Sequence, residues 1–217
     1  RLPAVGFEQN QFHHLDVFEH TLAVIENCPA EIVLRLTALF HDLGKPHTLT
    51  IGDDGMRHFY RHEIVSDELT MQAMQRLRFS KDLTRRVRRL VRYHMRPLEC
   101  GASAVRRLLR DLEDDFDTWV TFKRADALGC KMSVEEIDQQ LNIFNQMVEA
   151  ERERVLRAQR EKLAVTGHDL VALGMQPGPP MGEILSRMRE MVLDDPDCNT
   201  KDHLLACAKQ WIGHSSD

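Results

Sequence analysis

The stretch Leu39-Phe40-His41-Asp42-Leu43-Gly44-Lys45-Pro46 constrains the rest of the chain most. An imidazole and a carboxylate stand side by side at the end of a run, Glu31 to Phe40, whose apolar residues Ile32, Val33, Leu36, Leu39 and Phe40 have the spacing of a buried helix. Gly44 and Pro46 close that helix just after the pair. A carboxylate buried there without a partner would be costly, so the fold has to bring it one. Side chains at i and i+1 of a helix point about 100° apart, yet both can reach one ion at a helix end. A divalent cation is the natural candidate, and further His and Asp are needed to complete its shell.

Candidate donors recur at wide spacing on predicted helices: His20, His62, His94 and Asp126, beside the His41-Asp42 pair. Each alone also has a plain reading. A lone histidine among apolar residues is usually a satisfied core or surface side chain, and Asp126 alone reads as a solvated helix residue. The setting Arg124-Ala125-Asp126-Ala127 is small and apolar, however, and suits a buried carboxylate with a partner. Two or three His with two Asp make a nitrogen and oxygen site with room for water, suited to Mg, Mn, Ni, Co or Fe(II). No thiolate lies nearby in sequence, which disfavours a structural zinc site. Cys28, Cys100, Cys130, Cys198 and Cys207 show no Cys-x-x-Cys spacing and read as reduced cytosolic thiols that mostly pack.

Helical spacing and caps run through the whole chain. Asp16 to Asn27, Glu31 to Phe40, Arg61 to Leu77, Ser80 to about His94, Ala102 to Leu112 and Phe116 to Leu128 are predicted helices, with residues 1–14 a loop leading in. Ser133-Val134-Glu135-Glu136 is a capping box that opens a long polar helix to about Leu163. Residues 47–60, with Gly52-Asp53-Asp54-Gly55, read as a turn or small lid with too few β-like residues for a sheet. Beyond the long helix, Thr166 to Leu173, Met181 to Leu193 and a segment capped by Asn199 or Thr200 are further short helices. The expected architecture is all-α. A 217-residue chain with 42% hydrophobic residues suffices for one large domain carrying a tail module. We place the body at 1–150 and the helical tail at 151–217.

A net charge of −5 gives no global pull toward nucleic acid, so local clusters must carry any such role. Arg85, Arg86, Arg88, Arg89 and Arg92 lie on one predicted helix that leads into His94. Val87, Leu90 and Val91 take its buried stripe, which leaves arginines on both flanks. Arg85, Arg86, Arg89 and Arg92 are candidate phosphate contacts; the other reading is a solvated helix paired with nearby acids. Arg106, Arg107 and Arg110 form a second cluster. Gly178-Pro179-Pro180-Met181-Gly182 places proline at the start of a helix, which leaves an anion-friendly N-terminus or a rigid connector. Trp119, Trp211 and the methionines read as core, since aromatics at 6% are few for single-strand readout.

The order His20, His41-Asp42, Asp126, with Gly44-Lys45 after the doublet, resembles the HD superfamily of metal-dependent phosphohydrolases. Phe18-Glu19-His20-Thr21-Leu22, the stretch from Ala38 to Pro46, and Phe59-Tyr60-Arg61-His62-Glu63 are similar to the HD domain of bacterial tRNA nucleotidyltransferases, the CCA-adding enzymes and related poly(A) polymerases. Val165-Thr166-Gly167-His168-Asp169-Leu170 with Leu173-Gly174-Met175-Gln176-Pro177-Gly178-Pro179 is similar to their C-terminal tRNA-binding segment. The resemblance covers nearly the whole chain and implies an HD-domain helical bundle with a C-terminal tail. It implies one divalent ion held by His20, His41, Asp42 and Asp126. It leaves His62 and His94 as ligands of a second ion, phosphate contacts or a general acid, and Lys45 as a charge facing a phosphate oxygen or a solvated loop lysine.

Two functions follow as expectations. One is hydrolysis of phosphoester bonds of nucleotides or RNA ends. The other is a non-catalytic tRNA-binding body and tail with a vestigial HD site. The family's nucleotide-adding head is signalled by Gly-Ser followed by an Asp-x-Asp pair; this sequence lacks it, so the chain is not expected to add nucleotides alone. A start at Arg1 suggests a fragment of a longer protein whose preceding part could hold another activity. No uninterrupted apolar run suits a bilayer span and no signal peptide is visible, so a cytoplasmic protein without membrane contact is expected. The natural substrate, the metal and the oligomeric state are not written in the sequence.

Overall fold

The structure is a computed structural model that describes residues 16–53 and 55–213, so the loop expected over 1–14 lies outside it. The fold is all-α. The helices are α1 (Val17–Asn27), α2 (Ile32–Phe40), α3 (Lys45–Thr48), α4 (His62–Arg76), α5 (Lys81–Tyr93), α6 (Ala102–Leu112), α7 (Phe116–Gly129), α8 (Val134–Arg160), α9 (Gly167–Ala172), α10 (Pro179–Asp194) and α11 (Lys201–Gly213). Among the described residues no helix is long and apolar enough to cross a membrane.

The segment before α4 differs from the expectation of a turn without a sheet. Strands β1 (Thr50–Ile51) and β2 (Arg57–His58) pair antiparallel, Thr50 opposite His58 and Ile51 opposite Arg57. Gly55 adopts φ +76°, which a glycine takes without steric cost, and Gly52 N–H donates to Met56 O at 2.8 Å to close the turn. Two-residue strands carry no periodicity, which is why alternation could not announce them.

The chain divides into two compact units. One holds the residues up to Cys100 together with Leu108–Phe144; the other holds Gly101–Arg107 together with Asn145–Asp217. In the first unit α1, α2, α4, α5 and α7 pack together. Val24, Cys28, Leu34, Ala38, Phe122 and Ala125 form a buried cluster between α1, α2 and α7. Trp119 is fully buried, and its indole N–H donates to Tyr93 O at 3.0 Å, tying α7 to the end of α5. Two of the caps are those the sequence signals, at Ser80 and Ser133, and a further box opens α1. Asp16 and Glu19 bond reciprocally at the start of α1, Ser80 Oγ accepts from Leu83 N–H, and Ser133 and Glu136 form the expected box.

The second unit has its own core of Val165, Leu170, Met181, Met188, Val192, Leu204 and Ala208. Thr166 and Asp169 pair at the start of α9. Of the two proposed caps for α11, Asn199 turns its amide toward Ala164 N–H and Lys162 O, so its side chain is used to fasten the chain before α9. Thr200 O accepts the first helical bond, from Leu204 N–H.

Candidate metal centre

Five helices of the first unit deliver the donors. His20 lies on α1, His41 and Asp42 in the turn after α2, His62 at the start of α4, His94 at the end of α5 and Asp126 on α7. Helix α2 ends at Phe40, so the His-Asp pair sits just beyond it rather than inside it. Two glycines make the convergence possible by close approach. Gly44 has ordinary helical dihedrals, φ −77° and ψ −19°, so it is not needed as a helix breaker. A Cβ there would lie 2.4 Å from His62 O and 2.8 Å from Ser66 N. Its absence lets α4 approach the doublet, and Gly44 N–H donates to Ser66 Oγ at 2.8 Å. At Gly129 a Cβ would lie 2.5 Å from a Val24 methyl, so this glycine lets α7 close on α1.

Asp42 stands at the centre. One oxygen, Oδ2, lies 3.2 Å from His41 Nε2 and 3.7 Å from His20 Nε2; the other, Oδ1, lies 3.2 Å from His62 Nε2 and 3.7 Å from His94 Nε2. Asp126 Oδ1 is 3.3 Å from His20 Nε2 and 3.7 Å from His41 Nε2. Two trios result, His20 with His41 and Asp126, and Asp42 with His62 and His94. Within each trio the ligand atoms lie within 4.8 Å of one another. All four imidazoles and Asp42 are buried.

The arrangement fits a cation on the evidence of its own hydrogen bonds. The Nδ1 atoms of His41, His62 and His94 lie 2.8, 2.8 and 2.7 Å from the carbonyls of Ala38, Phe59 and Val91. Those carbonyls only accept, so each Nδ1 carries a proton and each neutral ring presents a bare lone pair at Nε2. Yet His62 Nε2 and His94 Nε2 face each other at 3.1 Å, and His20 Nε2 and His41 Nε2 at 3.2 Å. Between His62 and His94, opposed lone pairs at that distance repel unless a proton or a cation lies between them; His20, whose Nε2 also lies 3.3 Å from Asp126 Oδ1, can carry the proton shared with His41. Carbonyl-anchored imidazoles with Nε2 turned inward are the usual outer support of a metal site. Asp42 Oδ2 also makes no directed hydrogen bond, although Lys45 Nζ lies 2.7 Å away as an ion-pair partner.

The protonation pattern reflects this crowding. Burial works against a charged His20, but its hydrogen bond to Asp126, its contact with Cys130 and the two carboxylates raise it to about 10. Burial lowers His94, with Asp42 opposing that shift. Burial also disfavours the Asp42 and Asp126 carboxylates, yet His41 and Lys45 around Asp42, and His20, His41 and Lys123 around Asp126, hold both below the ordinary carboxylate range. A buried carboxylate, Asp42, and a half-buried one, Asp126, are thus stabilised by the donors and ammonium groups around them, as a divalent ion would stabilise them.

The donors line a cavity of about 740 Å³. Lys45 is buried at its wall, 5.8 Å from the Phe59 ring, so it is not a solvated loop lysine. Of the four arginines read as phosphate contacts, three are engaged within the unit. Arg85 pairs with Asp82 at 2.6 Å, Arg86 with buried Asp115 at 2.6 Å, and Arg89 with Leu112 O and Glu113, both at 2.9 Å. Arg92 lines the cavity and meets no carboxylate among the described residues. Sequence reasoning passed over Cys130, whose sulfur is 3.9 Å from His20 Nδ1, and Arg57, His58, Tyr60, Arg61 and Arg96 at the cavity mouth. The Tyr60-Arg61 pair directly before His62 was the available signal. In the second unit, Arg106 pairs with buried Glu151 at 2.7 Å, and Arg187 stacks 4.2 Å from the Trp211 ring.

Comparison with known proteins gives a match to tRNA nucleotidyltransferase domain 2 over residues 64–208. An A-adding tRNA nucleotidyltransferase of Deinococcus radiodurans is 34% identical over 200 residues, covering 85% of this chain and 44% of that protein. A CC-adding tRNA nucleotidyltransferase of Thermus thermophilus is 31% identical over 216 residues, covering 96% of this chain and 48% of that protein. The chain therefore spans about half the length of the curated relatives it matches. With the matched domain extending over two thirds of its residues and through both of its units, the chain belongs to the tRNA nucleotidyltransferase family.

Proposed function

We propose that this chain is the tRNA-holding body and tail of a nucleotide-adding enzyme of its family, with the body over residues 1–150 and the tail over 151–217. The family match through both units carries this reading. The relatives named for A-adding and CC-adding activity on tRNA make tRNA the expected partner, and a cytoplasmic location suits such work.

A second reading rests on a different observation. Four donors from α1, the turn after α2 and α7 converge, with His62 and His94 adjoining. His20, His41, Asp42 and Asp126 would hold a divalent ion, which when bound supplies a hydroxide near neutral pH and polarises a phosphoryl oxygen. The nitrogen and oxygen donor set suits Mg, Mn, Ni, Co or Fe. Lys45 would neutralise a phosphate oxygen as a point charge. His62 and His94 would complete a second ion's shell or act on the leaving oxygen. The substrate class is a phosphoester of a nucleotide or RNA end, and the proposed activity is metal-dependent phosphohydrolysis.

One paired experiment separates the two readings. The chain is assayed for tRNA binding by filter retention, and for hydrolysis of bis(p-nitrophenyl) phosphate with Mg, Mn, Ni or Co. His41→Ala and Asp42→Ala are expected to abolish hydrolysis and leave tRNA affinity within about twofold, since these buried side chains cannot reach a bound polynucleotide backbone. Hydrolysis that survives both substitutions in metal-stripped protein would refute the hydrolase reading. Failure to retain tRNA at low salt would refute the tRNA-holding one.

A further inference from the structure

We infer that Cys130 is a positioning residue of the metal centre: its sulfur fixes the His20 ring at Nδ1 and so decides whether Nε2 is offered to a cation. This rests on the reading of His20, His41 and Asp126 as an ion site, and it adds a side chain that acts on the ion only through His20. The four imidazoles are not anchored alike. His41 and His94 follow helices, and their Nδ1 atoms take the last-turn carbonyls of Ala38 and Val91, where a helix leaves acceptors without internal partners. His62 opens α4 and takes Phe59 O from the turn before it. His20 lies inside α1, where the carbonyls behind it are occupied: Asp16 O by its own N–H at 3.0 Å and Val17 O by the Thr21 hydroxyl at 2.7 Å. Its Nδ1 meets Cys130 Sγ at 3.9 Å instead.

The end of α7 grips that ring from both sides. Asp126 and Cys130 stand at i and i+4, hence on one face of the helix. Cys130 N–H donates to Asp126 O at 3.0 Å, which keeps the two in helical register. Asp126 Oδ1 lies 3.3 Å from Nε2 and the sulfur lies beyond Nδ1, so the imidazole is held between them. Gly129 lets this face reach α1, because a Cβ there would lie 2.5 Å from a Val24 methyl.

The chemistry of sulfur makes this anchor unlike the other three. A carbonyl only accepts, so it fixes the proton on Nδ1 and leaves Nε2 bare. A thiol accepts weakly and can also donate. When it accepts from Nδ1–H, Nε2 has a lone pair for the ion. When it donates to Nδ1, the neutral ring carries its proton on Nε2, facing Asp126 Oδ1, and the ion loses a ligand. Occupancy of this trio therefore depends on which way the thiol is used.

The test is calorimetric titration of chelator-stripped protein with Mn, Ni or Co. Cys130→Ala should weaken ion binding about tenfold or more, the usual effect of removing the outer partner of a metal-bound imidazole. Its metal-free melting temperature should stay at the wild-type value, because Cys130 is exposed. Cys130→Asn, whose amide oxygen accepts more strongly than sulfur, should restore the affinity. In Co-loaded protein the Nδ1–H proton of His20 gives a paramagnetically shifted resonance. That proton should exchange with solvent faster in Cys130→Ala than in wild type, and most slowly in Cys130→Asn. Cys130→Ala with wild-type affinity or a wild-type exchange rate overturns the proposal. So does a loss of affinity that Cys130→Asn leaves unrepaired, which would mean that the sulfur only packs. Wild-type protein that takes up none of the ions overturns the metal reading itself and this proposal with it, an outcome the variants alone cannot produce.

Discussion

Gly44 is held to glycine by space, because its dihedral angles would admit any residue. A methyl group there would press on His62 O at 2.4 Å and Ser66 N at 2.8 Å, both backbone atoms that cannot rotate away. Gly44→Ala should therefore move α4 from the doublet. The expected loss is about 1–3 kcal/mol or more, read by urea denaturation, as for other overpacked sites. It should also lower bound divalent metal, read by elemental analysis after dialysis. An alanine variant with wild-type stability and metal content would refute the close-approach argument. Lys45 is the other informative residue. It is the ammonium that faces buried Asp42, and Lys45→Met should leave that carboxylate short of a partner. In chelated protein the cost should be about 3 kcal/mol, the lower end for breaking a buried pair, and added Mn should recover much of it. Recovery is checked by repeating the denaturation with metal. The donors themselves were legible as residue types at helical positions. Their pairing was not, because it depends on two glycine contacts and three carbonyl anchors that link residues distant in sequence. Tyr60 and Arg61 were quoted only as part of the family motif and not read as cavity residues: they follow a hairpin of two-residue strands, and nothing in local periodicity places them at the cavity.

At the scale of the element, α5 shows how a charge run is sorted. Its apolar stripe, Val87, Leu90 and Val91, was readable from spacing, and all three are fully buried. The fate of its arginines was not, since their partners Asp67, Glu113 and Asp115 come from elsewhere in the chain. Arg88 grips Asp67 with two nitrogens at 2.6 and 3.2 Å, and Arg86 reaches Asp115, which is 2% exposed. These side chains hold α5 to α4 and to the turn before α7. Arg86→Ala should destabilise by about 1.5–3 kcal/mol, the worth of a charged hydrogen bond to a buried group, partly offset by Arg89 at 3.6 Å. Arg92→Ala should stay within about 0.5 kcal/mol of wild type, yet weaken tRNA or nucleotide binding and reduce its salt slope by about one. Denaturation and salt-titrated binding on the same two variants check the contrast. Equal destabilisation by both, or an unchanged salt slope for Arg92→Ala, would contradict it. The helices and several of their caps were legible because capping chemistry is local: Ser80 and Ser133 act within three residues of themselves. The sheet of β1 and β2, the helix α3 and the 3₁₀ turn at Glu113–Asp115, where Glu113 takes φ +50°, are too short to carry such a signal.

Over the whole molecule, the question is whether folding needs the cation. The first unit has an apolar core independent of the donors, with Phe122, Trp119, Phe144 and Leu34 fully buried. Its carboxylates already face Lys45 and a His20 raised to about 10, so the metal-free pocket is not left with uncompensated charge. The metal-free chain should therefore keep its helices and lose only the free energy of ligation. A divalent ion that binds the native state alone, at a hundredfold excess over its dissociation constant, adds about 2.7 kcal/mol. For a chain of this size that corresponds to a midpoint shift of about 5–10 °C. The reporter can be placed inside the relevant unit. The chain has two tryptophans, and in a Trp211→Phe variant the remaining Trp119 donates to Tyr93 O, one residue from His94. Its fluorescence transition should move up by that amount when Mn, Ni or Co replaces chelator, with far-UV helical signal unchanged at 20 °C. Asp42→Ala should abolish the shift, because it removes the carboxylate of one trio that also lies 3.2 Å from His41 of the other. A Trp119 transition that none of the divalent ions moves would mean that the inward lone pairs are quenched by protons alone. Loss of the helical signal on chelation would instead make the ion a requirement for folding, which the independent core argues against.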